Sequence, residues 1–459
     1  MGTAHGPILS HIGYRATRGR RRRSAILITV STTITPTPTR KPRLHRAWPV
    51  AAAALVTLVA AAGFRATPGV LLDPLHQEFG WPRSTIASAV SVNLLLYGLT
   101  APFAAALMER FGIRRVVSAA LVTVAVGSAG TLFMTASWQL VLCWGVLIGL
   151  GTGSLALAFV ATITNRWFVR HRGLVTGVLT AGQATGNLIF LPVLAHLAMT
   201  HGWRSAALVV AGGALLGVPL ILLLVREYPA DVGLRPYGAP EDTPITAPAR
   251  GTGAARRALG SLAGAARTRA FWMLAAGFAI CGASTNGLIQ THFIPAAHDH
   301  GMPETTAASL LALVGVFDVV GTILSGWLTD RIGSRALLGT YYALRGASLL
   351  VLPFLFAATP RPSMLVFIIF YGLDWVATVP PTVALCRQHF GDAGPVVFGW
   401  VFASHQVGAA AAAYGAGLVH DLTGGYDLAW YIAGGLCGIA AVCSLLIGAP
   451  RRRPAAVLT

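Results

Sequence analysis

The sequence predicts an all-α membrane protein with twelve transmembrane helices in two pseudo-symmetric six-helix bundles. Three observations predict it. Apolar stretches recur from Trp48 onward, each of about 20 residues and so able to cross a hydrocarbon core of ~30 Å at ~1.5 Å per residue. The basic residues crowd into every second polar segment between those stretches. A charged loop pattern returns half a chain later at a fixed offset, the mark of an internal repeat.

The spans fall at 48–71, 84–107, 114–135, 138–163, 173–198 and 204–225 in the first half, and at 271–296, 304–328, 335–358, 362–386, 394–419 and 427–448 in the second. Composition agrees: 55% of residues are hydrophobic and 11% charged, and the mean hydropathy is +0.66. A soluble core needs a polar coat that this chain lacks, so lipid is the expected solvent. The net charge of +19 could mark a nucleic-acid binder. Here the cations sit in short runs between apolar spans with no aromatic-interleaved basic face, and nucleic acid is not an expected partner. Cys143, Cys281, Cys386, Cys437 and Cys443 lie in or beside the spans at spacings of no metal or redox motif, so neither a disulfide nor a metal is expected.

Orientation follows from Arg and Lys, which favour cytoplasmic loops. With the N-terminus inside, 29 of the 34 basic residues fall in cytoplasmic segments; Arg83, Arg204 and Arg361 fall outside, and Arg65 and Arg345 fall within the membrane. Residues 1–46 read as a disordered basic cytoplasmic tail. The apolar run Ala25 to Val30 is too short for the core of a secretory signal. Residues 47–226 form the N-terminal bundle, 227–269 a Pro/Gly/Ala-rich cytoplasmic linker, 270–449 the C-terminal bundle and 450–459 a cytoplasmic tail.

The repeat is carried by Glu109-Arg110-Phe111-Gly112-Ile113-Arg114-Arg115 after the second span and Asp330-Arg331-Ile332-Gly333-Ser334-Arg335 after the eighth, 221 residues later. Gly149 parallels Gly372, and Gly177 parallels Gly399, at nearly the same offset. An acidic-Arg-x-Gly-x-Arg loop after spans two and eight resembles the loop signature of the major facilitator superfamily, with Ala105 in place of the usual leading Gly and Glu109 in place of Asp. Phe64 to Trp81, His171 to Gly186 and Val314 to Arg331 resemble the monocarboxylate-transporter and oxalate/formate-exchanger branch. The resemblance spans residues 48 to 448 and implies the major facilitator fold. It also implies a cytoplasmic latch, in which Glu109, Arg110, Asp330 and Arg331 pair between bundles and part as the halves rock. The alternative is that these arginines anchor topology alone.

An ionisable side chain at mid-bilayer costs roughly 2.5–3.5 kcal/mol and so marks a functional candidate. Four stand well inside spans: Arg65, Asp318, Arg345 and Asp374. The resemblance puts a cation near Arg65, where a guanidinium can grip a substrate carboxylate bidentately without passing on a proton; the alternative is snorkelling to headgroups. Asp318 matches the family's intramembrane Asp, but Thr322 stands where its Arg partner is usual, which suits proton coupling or else a pairing with Arg345. Arg345 and Asp374 lie at similar depth and read as a structural ion pair. Gln183, Asn187, Asn286, Gln290, His292, His405 and Gln406 are further substrate-binding candidates, with Gln183 and His405 related by the repeat. Singly, each such polar group can equally be interhelical glue.

The sequence carries no nucleotide-binding loop, catalytic triad or metal cluster, so no enzyme activity and no cofactor are expected. What the resemblance implies is a secondary active transporter, monomeric in the lipid bilayer of the plasma membrane. It would move a small organic anion, a mono- or dicarboxylate, by proton symport or anion exchange. Efflux of apolar or cationic drugs is an alternative, and a transporter-like nutrient sensor is another.

Overall fold

The computed structural model describes residues 45–155, 157–245 and 253–448. Among them, ten stretches are long and apolar enough to cross a membrane. One, Pro362–Thr423, is 62 residues long and folds as two antiparallel crossings turned at Gly391–Ala393. The 30-residue helix Arg172–His201 completes a set of twelve. In chain order these are α1 (Ala47–Phe79), α2 (Arg83–Phe111), α3 (Ile113–Phe133), α4 (Ser137–Trp167), α5 (Arg172–His201), α6 (Trp203–Leu224), α7 (Arg269–Asp299), α8 (Glu304–Thr329), α9 (Ser334–Leu355), α10 (Pro362–Asp374 and Val379–Phe390), α11 (Gly394–Thr423) and α12 (Asp427–Leu445).

Their outer surface is that of a protein in lipid. Leu216 and Ile323 are each 70% exposed and Phe354 73%, a loss of hydrophobic burial that water would penalise and acyl chains do not. Neighbours within each half repeat: α1 packs on α5 and α6 as α7 packs on α11 and α12, and α3 packs on α6 as α9 packs on α12. Between halves, α2 lies along α11 and α5 along α8, with α1 also touching α7. A shift of six helices turns each main cross-bundle pairing into the other, as a pseudo-two-fold axis demands.

Close approach along α2 and α11 depends on missing side chains. A Cβ on Gly98 would stand 2.5 Å from the Gln406 Cβ, and one on Gly417 would stand 2.9 Å from the Ser84 Cα. Small residues let backbones meet where lipid supplies no hydrophobic drive. The two glycines of the repeated loop do different work. Gly112 has φ +91° and faces the Glu227 carboxylate, which accepts from the Ile113 and Arg114 amides at 2.7 and 3.2 Å. Gly333 has an ordinary φ of −56° and open space around it.

Two helices depart from regular turns where they carry chemistry. α7 widens over Ala283–Ile289 into π-type turns, which are common at functional sites. α10 breaks after Asp374 and restarts at Val379, with Pro380 and Pro381 in the new first turn, where a missing N–H costs nothing.

The linker holds more structure than its composition predicts. Tyr237 exchanges backbone hydrogen bonds with Trp167 and Val169 at 2.8 and 2.9 Å and sits among Trp48, Phe168 and His171. Ala254–Ala265 is a helix against the ends of α2 and α11. Trp400 donates its indole N–H to the Ala258 carbonyl at 2.9 Å. The end of the molecule bearing this segment is the linker face; Gly80, Gly202, Gly301 and Gly424 lie at the opposite face.

Candidate functional site

The middle of the bundle interface is cationic and aromatic. Arg65 on α1 sets its guanidinium over the Tyr97 ring of α2 at 5.2 Å. The two residues line a recess of about 20 Å³ with Leu58, Thr152 and Leu155, which is room for about one water. Tyr97 meets Phe402 of α11 edge-on at 6.0 Å, and Phe402 stacks on His405 at 5.8 Å and 7°. Phe278 of α7 closes on His405 at 4.9 Å. A continuous path of rings therefore runs from Arg65 in one bundle to His405 in the other.

Beside it, Gln406 is buried with neither amide atom hydrogen-bonded, and the His405 Nδ1 is buried without a partner. Buried polar groups are nearly always satisfied. Three unsatisfied atoms on adjacent residues at a bundle interface are therefore ready contacts for a polar ligand. Gln290 is half-buried with its Nε2 unpaired, close to where α7 meets Gly69 of α1, and Asn286 lies one turn away. The side chains of Gln183 and Asn187 lie outside the described residues. Asn93 donates to the Trp144 carbonyl at 2.7 Å inside the N-terminal bundle, as interhelical glue does.

His292 stands apart from this centre. Its Nε2 is 2.8 Å from the Ala413 carbonyl and its Nδ1 3.3 Å from the Tyr426 hydroxyl, so both ring nitrogens are engaged near the face opposite the linker.

A second polar cluster fills the C-terminal bundle. Fully buried Arg345 donates through Nε to Asp374 Oδ2 at 2.6 Å, through Nη1 to the Cys281 sulfur at 2.9 Å, and through Nη2 to the Asp374 and Trp375 carbonyls. Asp318 accepts from the Thr322 hydroxyl and from the Val376 amide freed by the break in α10, both at 3.1 Å. Its carboxylate thus holds the turn at the break in α10 within its own bundle, and it is only 8% exposed.

At the linker face, Glu109 lies 4.0 Å from Arg257 of the linker helix. Arg110 covers Phe111 and Arg331 covers Trp327, at 5.1 and 3.9 Å, while Asp330 is exposed. Among the described residues no salt bridge joins these four to one another across the bundles.

The cross-bundle ion pairs lie at the opposite face, on residues that the sequence did not single out. Arg83, the first residue of α2, donates through both terminal nitrogens to Asp299 of α7, at 2.7 and 2.8 Å. His420 of α11 reaches Asp299 at 3.2 Å and also contacts Arg83. Asp421 accepts from the Arg83 and Ser84 amides at 3.1 and 2.9 Å, capping α2 from the other bundle. Asp73 of α1 lies 2.7 Å from Arg83. One signal was available: Asp299 follows Glu78, and Glu304 follows Arg83, at the same 221-residue offset as the loop motif.

Two repeated six-helix bundles with a cationic polar centre between them and cross-bundle ion pairs at one face are the plan of a membrane carrier. The chain belongs to the Major Facilitator Superfamily, whose family model matches residues 53–394 and 287–458. It is a multi-pass secondary transporter and moves solutes without transforming them. An uncharacterized MFS-type transporter, YcxA, of Bacillus subtilis (strain 168) is 27% identical over 86% of this chain and 91% of its own length. Monocarboxylate transporter 11 of Homo sapiens is 27% identical over 93% of this chain and 88% of its own. The crystal structure of a bacterial homolog of the human lysosomal transporter Spinster superposes with a TM-score of 0.68 at 15% identity, over 88% of this chain and 97% of that one. That likeness concerns the fold.

Proposed function

We propose that the chain carries small organic anions of the mono- or dicarboxylate class across the plasma membrane, with its linker face and both termini in the cytoplasm. The observation that carries this reading is Arg65, a permanent cation set over Tyr97 on a ring path that reaches His405 in the other bundle. A guanidinium there supplies a fixed charge and two parallel donors, which a carboxylate matches and a cation or neutral drug does not. The unpaired Gln406 amide and His405 Nδ1 offer hydrogen bonds to the rest of a small polar solute. The names of the similar monocarboxylate transporters support the same class. Orientation rests on the crowding of Arg and Lys at the linker face.

The test is uptake of radiolabelled lactate, acetate and succinate into proteoliposomes, with and without an imposed pH gradient. Saturable uptake of at least one, with competition among them, supports the reading. Transport of a cationic dye with no carboxylate flux favours drug efflux and refutes it. The bonds of Asp318 to Thr322 and Val376 support a structural role for that carboxylate at the break in α10 over a proton-carrying one.

A further inference from the structure

We infer that Asp73 is a proton-binding carboxylate whose charge decides whether Arg83 fastens the two bundles at the face opposite the linker. The inference rests on the carrier orientation proposed above and not on which anion is carried.

Asp73 is 3% exposed; its Oδ1 lies 2.7 Å from Arg83 Nη2, and its Oδ2 has no partner. That same nitrogen donates to Asp299 Oδ1 at 2.8 Å, so one guanidinium serves two carboxylates. The cross-bundle pair takes both arms of the fork, and Asp73 has only a share of one. Other charges nearby do not relieve it. Asp299 on α7 and Glu304 on α8 add negative charge, while Asp421 on α11 is occupied by two backbone amides. The remaining titratable groups are His298 on α7, His420, which is shared between Asp299 and Arg83, and His292 and Tyr426, which engage each other. An ionised carboxylate buried with one oxygen unpaired and its only close cation shared is costly, and a bound proton removes that cost.

Asp73 and Arg83 belong to one bundle; Asp299, His420 and Asp421 belong to the other. When the bundles part at this face, Arg83 loses Asp299 and keeps Asp73, which must then be ionised to hold it. On closing, Arg83 also takes Asp299, and Asp73, left with a share of the guanidinium, takes up a proton from the adjoining solvent. By linkage, acid on that side drives the face shut.

Spin labels on His201→Cys and Leu422→Cys, at exposed ends of α5 and α11 on this face, report its opening in a background carrying Cys443→Ser, the other four cysteines being buried. The closed-to-open ratio should rise as pH falls from 9 to 5, by up to about tenfold per pH unit, the limit for one linked proton. Asp73→Asn should hold the face closed at every pH, Asp73→Glu should keep the response, and Asp299→Asn should open the face. A parent ratio that ignores pH overturns the inference, as does an Asp73→Asn variant that responds as the parent does. No substrate enters the measurement, so its failure is separable from failure of the anion reading.

Discussion

Removing the Asp374 carboxylate should leave a bare guanidinium inside the C-terminal bundle. Arg345 is fully buried, and of its acceptors only Asp374 Oδ2, at 2.6 Å from Nε, bears charge; the others are two backbone carbonyls and the Cys281 sulfur. With charge centres about 4 Å apart and an effective dielectric constant of about 20, the lost attraction is about 4 kcal/mol. That agrees with the roughly 3–5 kcal/mol cost of breaking a buried pair from one side. Asp374→Ala should therefore lose most of its monodisperse fraction at temperatures the parent survives, read by size-exclusion chromatography of heated, detergent-purified protein. The double change Arg345→Met with Asp374→Leu should recover most of the loss, because it leaves no orphaned charge. An Asp374→Ala variant with the parent's midpoint, or a double variant no better than the single, would refute the reasoning.

Three further outcomes follow from the geometry. Gly112→Ala should destabilise the N-terminal bundle by about 1–3 kcal/mol, since φ +91° suits only glycine and the new Cβ would sit 2.7 Å from Glu227 Oε1; Glu227→Ala in the same chain would relieve the contact but not the backbone strain, and heated-sample chromatography separates the two. Gly98→Val should wedge α2 from α11 at Gln406 and cut uptake at least tenfold while leaving expression intact. Asp318→Asn keeps an acceptor oxygen for the Val376 amide and should hold its thermal midpoint within a few degrees with uptake still pH-dependent, whereas Asp318→Leu should lower the midpoint.

The membrane helices were legible because lipid forces a crossing to be apolar and helical throughout, and the duplicated loop exposed the pairing of halves. Depth suggested Arg345 with Asp374, but Asp318 stood as a second partner for Arg345, and only the structure shows the bond going to Asp374. Sequence could not show where the Asp318 carboxylate goes, because its partner is a backbone amide that exists only where α10 breaks. The lock at Arg83 escaped for another reason. Asp73, Arg83, Asp299 and Asp421 lie near helix ends, where charges are ordinarily solvated, and only tertiary packing brings them together and buries Asp73 and Arg83. The linker helix carries a helical spacing in Ala258, Leu262 and Ala265, which the surrounding glycines and prolines obscured. His292 and His405 are both buried intramembrane histidines, yet one is satisfied at both nitrogens and the other is not, a difference set by the opposite helix.

The central claim, that a fixed cation on α1 takes the carboxylate of the solute, is tested most directly by proteoliposome uptake of labelled lactate, acetate and succinate through Arg65→Gln beside Arg65→Lys. Losing a desolvated charge partner costs about 2–5 kcal/mol, so the Gln variant should lose roughly 30-fold or more in transport efficiency, while Lys, which keeps the charge but not the fork, should retain a measurable part. Carboxylate uptake by Arg65→Gln at the parent's rate and apparent affinity would contradict the account.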